Sequence, residues 1–313
     1  MHILITGGLG FIGCNLIDTL KNKHTISVID NETTGSIQAI DINDVNYVCG
    51  NFTDKEYIHN LVEQADVTVH LAANTSVIDS IQDPVSSFDN NSKGIFDLLE
   101  IHRELGKKNF IFASTGGAIV GDGALPIKED IVANPLSPYG ASKLVGEGYL
   151  SAYSASYGMN AIALRFANVY GPKSFHKGSV VAEYYRRIMN DEEIIVYGDG
   201  NQTRDFIYVG DICGAIESCL SQNVSGTYQL GSGKETSIIE LIRTMETVTG
   251  KSIEKNIVFK PARNGEVIRS YCDITKAKNC IGYNPKVDLV DGLDNTWNWF
   301  QIKNGSLNKE KAA

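Results

Sequence analysis

The chain has no run of basic residues longer than a pair, and its formal net charge is −9. A general affinity for nucleic acid or for an anionic membrane is therefore not expected. No uninterrupted apolar stretch approaches the roughly 20 residues of a transmembrane helix. The sequence opens on Met1-His2-Ile3-Leu4-Ile5, with no leader-like segment ahead of that first apolar run. Cysteine is sparse and scattered, at Cys14, Cys49, Cys213, Cys219, Cys272 and Cys280, with no C-x-x-C spacing. These read as free thiols in a reducing, cytoplasmic compartment. The six histidines show no ligand spacing, so no metal site is expected. Internal repeats and low-complexity segments are absent too.

What is present suits a globular enzyme. A length of 313 residues suffices for about two domains. Residues 2–6 form a short apolar run that predicts a buried strand. Thr6-Gly7-Gly8-Leu9-Gly10-Phe11-Ile12-Gly13 follows, and then a helical pattern at Ile12, Leu16, Ile17 and Leu20. In such a strand, turn and helix, Gly7 permits the tight turn. Gly10 lets backbone approach a pyrophosphate, and Gly13 lets the helix pack on the sheet. The helix N-terminus offers free N–H groups to the anion. A second apolar strand, 25–29, ends at Asp30, about 20 residues on. A carboxylate there can bond ribose hydroxyls and repels a 2′-phosphate, which favours NAD over NADP. Asp30 could also be a plain strand-end turn residue.

Further strands are expected at 45–49, 67–71 and 110–113, with helices at 55–64 and 91–103. The alternation predicts an α/β fold with a doubly wound parallel sheet. Ligands on such sheets lie beyond the carboxyl ends of the strands. Asp30, Asn51, Leu71-Ala72-Ala73 and Ser114-Thr115 all fall at those ends. Tyr139 and Lys143 are four apart, which on a helix places both on one face. A lysine ammonium beside a phenol favours the phenolate. The pair can then act as a general base toward a hydroxyl. Two amphipathic side chains on a half-exposed helix would show the same spacing.

Together these residues resemble the extended short-chain dehydrogenase/reductase family, within its NAD-dependent nucleotide-sugar epimerase/dehydratase group. Besides the glycine loop, the matching motifs are Asp30-Asn31 with Thr34-Gly35, His70-Leu71-Ala72-Ala73, Asn91-x-x-Gly94, Phe112-Ala113-Ser114-Thr115 and Tyr139-x-x-x-Lys143. Further on come Arg165-Phe166-Ala167-Asn168-Val169-Tyr170-Gly171-Pro172, the stretch from Gly198 to Val209, and Asp273-Ile274-x-Lys276-Ala277. The resemblance implies a Rossmann domain over 1–172, rejoined by about 205–222, and a smaller C-terminal α/β substrate domain, mainly 173–313. It implies NAD contacts at Gly7, Gly10, Phe11, Ile12, Gly13, Asp30, Asn31, Thr34, Gly35, Asn51, Phe52, Leu71, Ala72, Ala73, Asn91, Ala113 and Phe166. Tyr139 would be the base, Lys143 would bind the nicotinamide ribose, and Thr115 would bond the reacting sugar hydroxyl.

Substrate contacts implied in the same way are Val77, Thr115, Asn168, Ser179, Val180, Tyr197, Arg204, Arg263 and Ser270. Arg204 and Arg263 would take a diphosphate, because a guanidinium binds phosphate oxygens bidentately. A helix is expected over 180–189 and a strand over 194–197. The small Ser270 stands where a bulky tyrosine often restricts the sugar 2-substituent, so an N-acetyl group would be admitted. The sequence also departs from the family. Asn51 replaces an aspartate, and Ile119-Val120-Gly121 replaces Val-Tyr-Gly. Gly116-Gly117 follows Thr115 where dehydratases carry Asp-Glu and UDP-glucuronate decarboxylases a glutamate.

The implied activity is NAD-dependent 4-epimerisation of a UDP-hexose through a transient 4-keto sugar, UDP-glucose/UDP-galactose or the N-acetylhexosamine pair. Alternatives are a UDP-glucuronate decarboxylase or 4-epimerase, and a non-catalytic NAD-sensing protein on the same fold. Relatives often pair through two helices, one of them bearing the tyrosine, so a homodimer is expected.

Overall fold

The computed structural model describes residues 1–121, 123–262 and 267–312. Strands β1 (His2–Thr6), β2 (Thr25–Asp30), β3 (Asn46–Cys49), β4 (Val67–His70), β5 (Asn109–Thr115) and β6 (Asn160–Phe166) form one sheet with a seventh strand, Gly226–Leu230. The spatial order is seventh, β6, β5, β4, β1, β2, β3, and every neighbouring pair is parallel. The order reverses beside β1, and the crevice at that reversal is where such sheets bind dinucleotides.

Both faces of the sheet are covered, so its strands are apolar runs without alternation. On one face Ile3, Ile5, Val28, Val69 and Ile111 pack with Leu16 and Ile17 of helix Phe11–Leu20, and with Ile212 and Ile216 of helix Val209–Cys219. On the other, Leu4, Ile29, Phe110 and Phe112 meet Ile58, Leu98, Leu150 and Tyr153. Those come from helices Lys55–Gln64, Gly94–Glu104 and Pro138–Tyr157.

The long helix Pro138–Tyr157 has clear local signals. Ser137 accepts the Gly140 N–H at 3.1 Å, and Pro138 holds the first turn. Gly158, at φ 62°, ends it in the left-handed conformation.

After Tyr170 the chain builds a second core from Tyr185, Ile194, Val196, Leu241, Met245, Trp297 and Phe300. Helix Val180–Met189 and strand Ile194–Tyr197 appear where the pattern put them, the strand paired in parallel with Ile257–Lys260. The chain returns to the central sheet at Val209–Cys219 and remains there through the seventh strand, beyond the expected 205–222. Helix Thr275–Ile281 joins the cluster on that face through Ala277 and Ile281.

Two local expectations need correction. The stretch 91–103 is not one α-helix: a wider π-helical turn, Phe88–Lys93, precedes Gly94–Glu104. Strand β5 runs past 113 to Thr115, which carries Ser114 and Thr115 to the lip of the cleft.

Candidate active site

A cleft of about 970 Å³ opens at the carboxyl ends of β1, β2, β4 and β5. Its floor is the glycine loop. Gly7 has φ +70°, and a Cβ there would lie 2.7 Å from the Ala72 backbone. At Gly13 a Cβ would lie 2.6 Å from the Gly7 carbonyl, so only glycine lets the helix come this close. Gly10, the N-cap of helix Phe11–Leu20, provides no side-chain bond to the first turn. The N–H groups there remain available to an anion. Donor set and steric clearance both fit a dinucleotide pyrophosphate.

Asp30 is buried beside the loop. Its Oδ2 accepts the Leu9 N–H at 3.0 Å and its Oδ1 the Glu32 N–H at 2.8 Å. The carboxylate thus ties the glycine loop to the end of β2 and keeps further lone pairs for a ligand. Asn51 Oδ1 accepts the Thr53 N–H at 3.2 Å, an Asx turn that sets the rim.

Tyr139 and Lys143 share the cleft wall in a desolvated setting. Lys143 is 4% exposed, donates to the Ala113 carbonyl at 2.8 Å, and sits 4.7 Å over the Phe112 ring. Burial pushes its amine down to about 7, against a smaller opposing pull from Glu147. Its Nζ is 5.9 Å from the centroid of the Tyr139 ring. Burial pushes the Tyr139 phenol up to about 12. For the tyrosine, desolvation is the dominant influence.

The frame behind the pair is rigid. Glu147, one turn beyond Lys143, pairs with Arg165 of β6 through bonds of 2.8 and 2.7 Å. It also accepts the Ser114 hydroxyl at 2.6 Å. The Tyr139 N–H donates to Ser80 Oγ at 3.2 Å, fixing the helix start to helix Val77–Gln82. Asn91 clamps the loop after β4: its Oδ1 accepts the Asn74 N–H at 2.9 Å and its Nδ2 donates to the Asn74 carbonyl at 3.0 Å.

The cleft wall brings together Gly7, Gly10, Phe11, Ile12, Gly13, Asp30, Asn31, Thr34, Gly35, Asn51, Phe52, Leu71, Ala72, Ala73, Ala113, Thr115, Tyr139, Lys143, Phe166, Asn168, Ser179 and Val180. Asn91 stands behind it. Val77 is exposed at the start of its helix, and Tyr197 and Arg204 lie in the second lobe, off the wall. The Arg204 guanidinium donates to the Thr203 carbonyl at 2.7 Å. Ser270 also lies off the wall, but a Cβ built on Gly117 would be 3.5 Å from its Oγ, so it adjoins the loop after Thr115. Arg263 lies outside the described residues.

Sequence reasoning passed over Ser80, Ser87 and Lys177, which also line the cleft. For Lys177, a cation two residues before the Ser179 that opens a helix was the available signal.

The glycine loop, the acid at the end of β2 and the Tyr-Lys pair thus share one cleft at the sheet's switch point. Residues 3–231 match the model of the NAD dependent epimerase/dehydratase family. The chain belongs to this family. It is an NAD-dependent enzyme, and NAD is its cofactor. A putative UDP-glucose 4-epimerase of Methanocaldococcus jannaschii is 37% identical over 96% of this chain and 99% of its own. UDP-glucose 4-epimerase of Thermotoga maritima, solved with UDP-glucose, superposes with a TM-score of 0.92 at 35% identity, covering 97% of this chain and 100% of that one. UDP-N-acetylglucosamine 4-epimerase of Methanobrevibacter ruminantium, solved with UDP-N-acetylmuramic acid, gives 0.91 at 29% identity, over 96% and 98%. UDP-glucuronic acid decarboxylase 1 of Xenopus tropicalis is 31% identical over 100% of this chain and 76% of its own.

Proposed function

We propose that the enzyme epimerises a UDP-hexose at C4, acting on UDP-glucose/UDP-galactose or on the N-acetylhexosamine pair. The observation that carries this reading is that Thr115 and Tyr139 line one cleft while Gly116-Gly117, and no acid, directly follow Thr115. Gly116-Gly117 follows Thr115 where a dehydratase carries Asp-Glu. The glutamate of a decarboxylase is missing as well. What these residues can support is removal of a proton and its return at a single hydroxyl.

NAD, when bound, supplies a reversible hydride acceptor beside the sugar. The glycine loop and the N-terminus of helix Phe11–Leu20 would hold its pyrophosphate, Asp30 its adenosine ribose, and Lys143 its nicotinamide ribose. Tyr139 takes the proton from the C4 hydroxyl and gives it back after the 4-keto sugar has turned over in the site. Thr115 orients that hydroxyl. Lys143 in its charged form stabilises the phenolate. Burial pushes this amine down to about 7, so an anionic ligand in the cleft would favour its charged form and with it the base. Asn168, Ser179 and Val180, which share the cleft wall, would hold the substrate's diphosphate and uridine. Ser270 beside Gly117 supports admission of a 2-N-acetyl group.

Six free thiols, Cys49 and Cys280 exposed, support a reducing, cytoplasmic setting. No helix among the described residues is long and apolar enough to cross a membrane. We also infer a homodimer, supported by apolar side chains exposed beside the Tyr139 helix.

The test is to incubate purified protein with UDP-glucose and with UDP-N-acetylglucosamine, without added NAD, and to follow C4 by proton NMR. Appearance of the galacto epimers is expected, and Tyr139→Phe should lose about 10²-fold or more of that rate. If neither sugar is converted even with NAD supplied, the 4-epimerase reading fails for these hexoses. Conversion of UDP-glucuronate instead would establish the alternative.

A further inference from the structure

Lys177 belongs to no part of the chemistry described above, yet its side chain lines the cleft. Its Nζ lies 4.7 Å over the ring of Phe11 and donates to the Val169 carbonyl at 2.9 Å. Phe11 is the first residue of the helix behind the glycine loop, and Val169 follows Asn168. The charge therefore stands between the dinucleotide loop and the strand assigned above to the substrate diphosphate.

No carboxylate among the described residues pairs with it. Of the cleft's other lysines, Lys173 pairs with Asp18 at 2.5 Å, while Lys143 rests on the Ala113 carbonyl as Lys177 does on that of Val169. Of the carboxylates lining the cleft, Asp30 accepts from Leu9 and Glu32, and Asp83 from Ser86, and none of the three, Asp79 included, is paired with Lys177. Desolvation without a compensating anion pushes the Lys177 amine down to about 8. A desolvated cation without a counter-ion costs stability. Its placement on a ligand-sized cleft is accounted for if the counter-ion arrives with the ligand.

We propose that Lys177 is the cationic contact for a diphosphate bound in this cleft, that of NAD or that of the nucleotide sugar. The proposal rests on the reading of the cleft as a site for both. From the Val169 carbonyl its four-carbon stem can swing the ammonium onto a phosphate oxygen, where a charge-assisted bond forms. The carbonyl is then a parking place that keeps the donor satisfied while the site is open.

Lys177→Met keeps the stem over Phe11 and removes the charge. Lys177→Arg keeps the charge. Both are compared with the parent protein in two measurements: calorimetric titration with UDP and with uridine, and NAD content per chain, read from nucleotide released by acid after gel filtration. If the substrate diphosphate is the partner, Lys177→Met weakens UDP on the order of 10- to 100-fold, leaves uridine unchanged, and Lys177→Arg restores most of the loss. If the cofactor pyrophosphate is the partner, NAD content falls and UDP affinity stays. Parent-like UDP affinity together with parent-like NAD content in Lys177→Met overturns the proposal. Melting of Lys177→Met at or above the parent temperature excludes misfolding as the cause of a loss. A parent protein that binds UDP but converts no sugar would sink the proposed reaction and leave this test intact.

Discussion

A buried lysine without a counter-ion costs the folded chain stability for as long as it carries its charge. Lys143 shows the sign of that cost. Its folded value, about 7, lies below the ordinary lysine value of 10.5. Between those limits the unfolded chain holds a proton that the folded chain has released, so stability contributed by this group rises with pH across the window. Below about pH 7 the penalty is complete. Lys143→Met removes it. Relative to the parent, the variant is expected to look most stable at pH 6 and to lose roughly 2–4 kcal/mol of that relative advantage by pH 10. Urea unfolding of both proteins at pH 6, 8 and 10 measures this. The Ala113 carbonyl loses its donor in the variant at every pH, so the slope is the prediction and the offset is not. A difference independent of pH would show that Lys143 keeps its proton in the folded chain.

At the scale of elements, helix Pro138–Tyr157 holds Tyr139 and Lys143 on the cleft wall and is tied to the sheet one turn beyond Lys143. Glu147 and Arg165 are 7% and 4% exposed, and Ser114 completes the cluster. Breaking a buried pair from one side leaves an uncompensated charge. Glu147→Gln should therefore cost about 3 kcal/mol or more, seen as a lower urea midpoint at unchanged m-value. Turnover should fall as well, since Thr115 follows Ser114 on the same strand. Retained stability would mean that water reaches Arg165 and that the helix is held by apolar contacts alone. Much of this frame was legible beforehand because its signals are short-range. The apolar runs of β1, β2 and β4, the glycines at 7, 10 and 13, and the four-residue spacing of Tyr139 and Lys143 each act within a few residues. What escaped the sequence acts at a distance or through altered winding. Strand Gly226–Leu230 takes its place by pairing with β6 about 60 residues earlier. Asn91 reaches Asn74 from a π-helical turn that an ordinary helical period does not reveal. The Asp30 bond to the Leu9 N–H and the place of Lys177 over Phe11 exist only once separate elements meet.

For the whole molecule, exposed apolar residues gather on neighbouring elements along one side. Ile78, Ile81, Val85 and Phe88 are 62%, 59%, 69% and 58% exposed, on consecutive elements that pack against the start of the long helix. On that helix Val145 and Tyr149, four apart and so on one face, are also exposed, and Tyr149 packs 5.1 Å from Phe96. Water-facing apolar residues gathered on neighbouring elements mark an association surface. A twofold pair formed there would remove them from water on both copies at once, since a C2 contact uses the same patch twice. Sedimentation equilibrium is expected to give twice the 34.1 kDa chain mass. The double variant Ile81→Glu with Val85→Glu should dissociate it, because each charge would have to be buried opposite its own copy. The consequence for activity follows from Ser80, which lies on the same short helix as Ile81 and accepts the Tyr139 N–H. A pair that stiffens that helix also holds the start of the catalytic helix. The dissociated variant should therefore lose turnover while retaining NAD. A parent protein that sediments as a monomer would leave the patch for another partner. A monomeric variant with full turnover would separate association from the positioning of Tyr139.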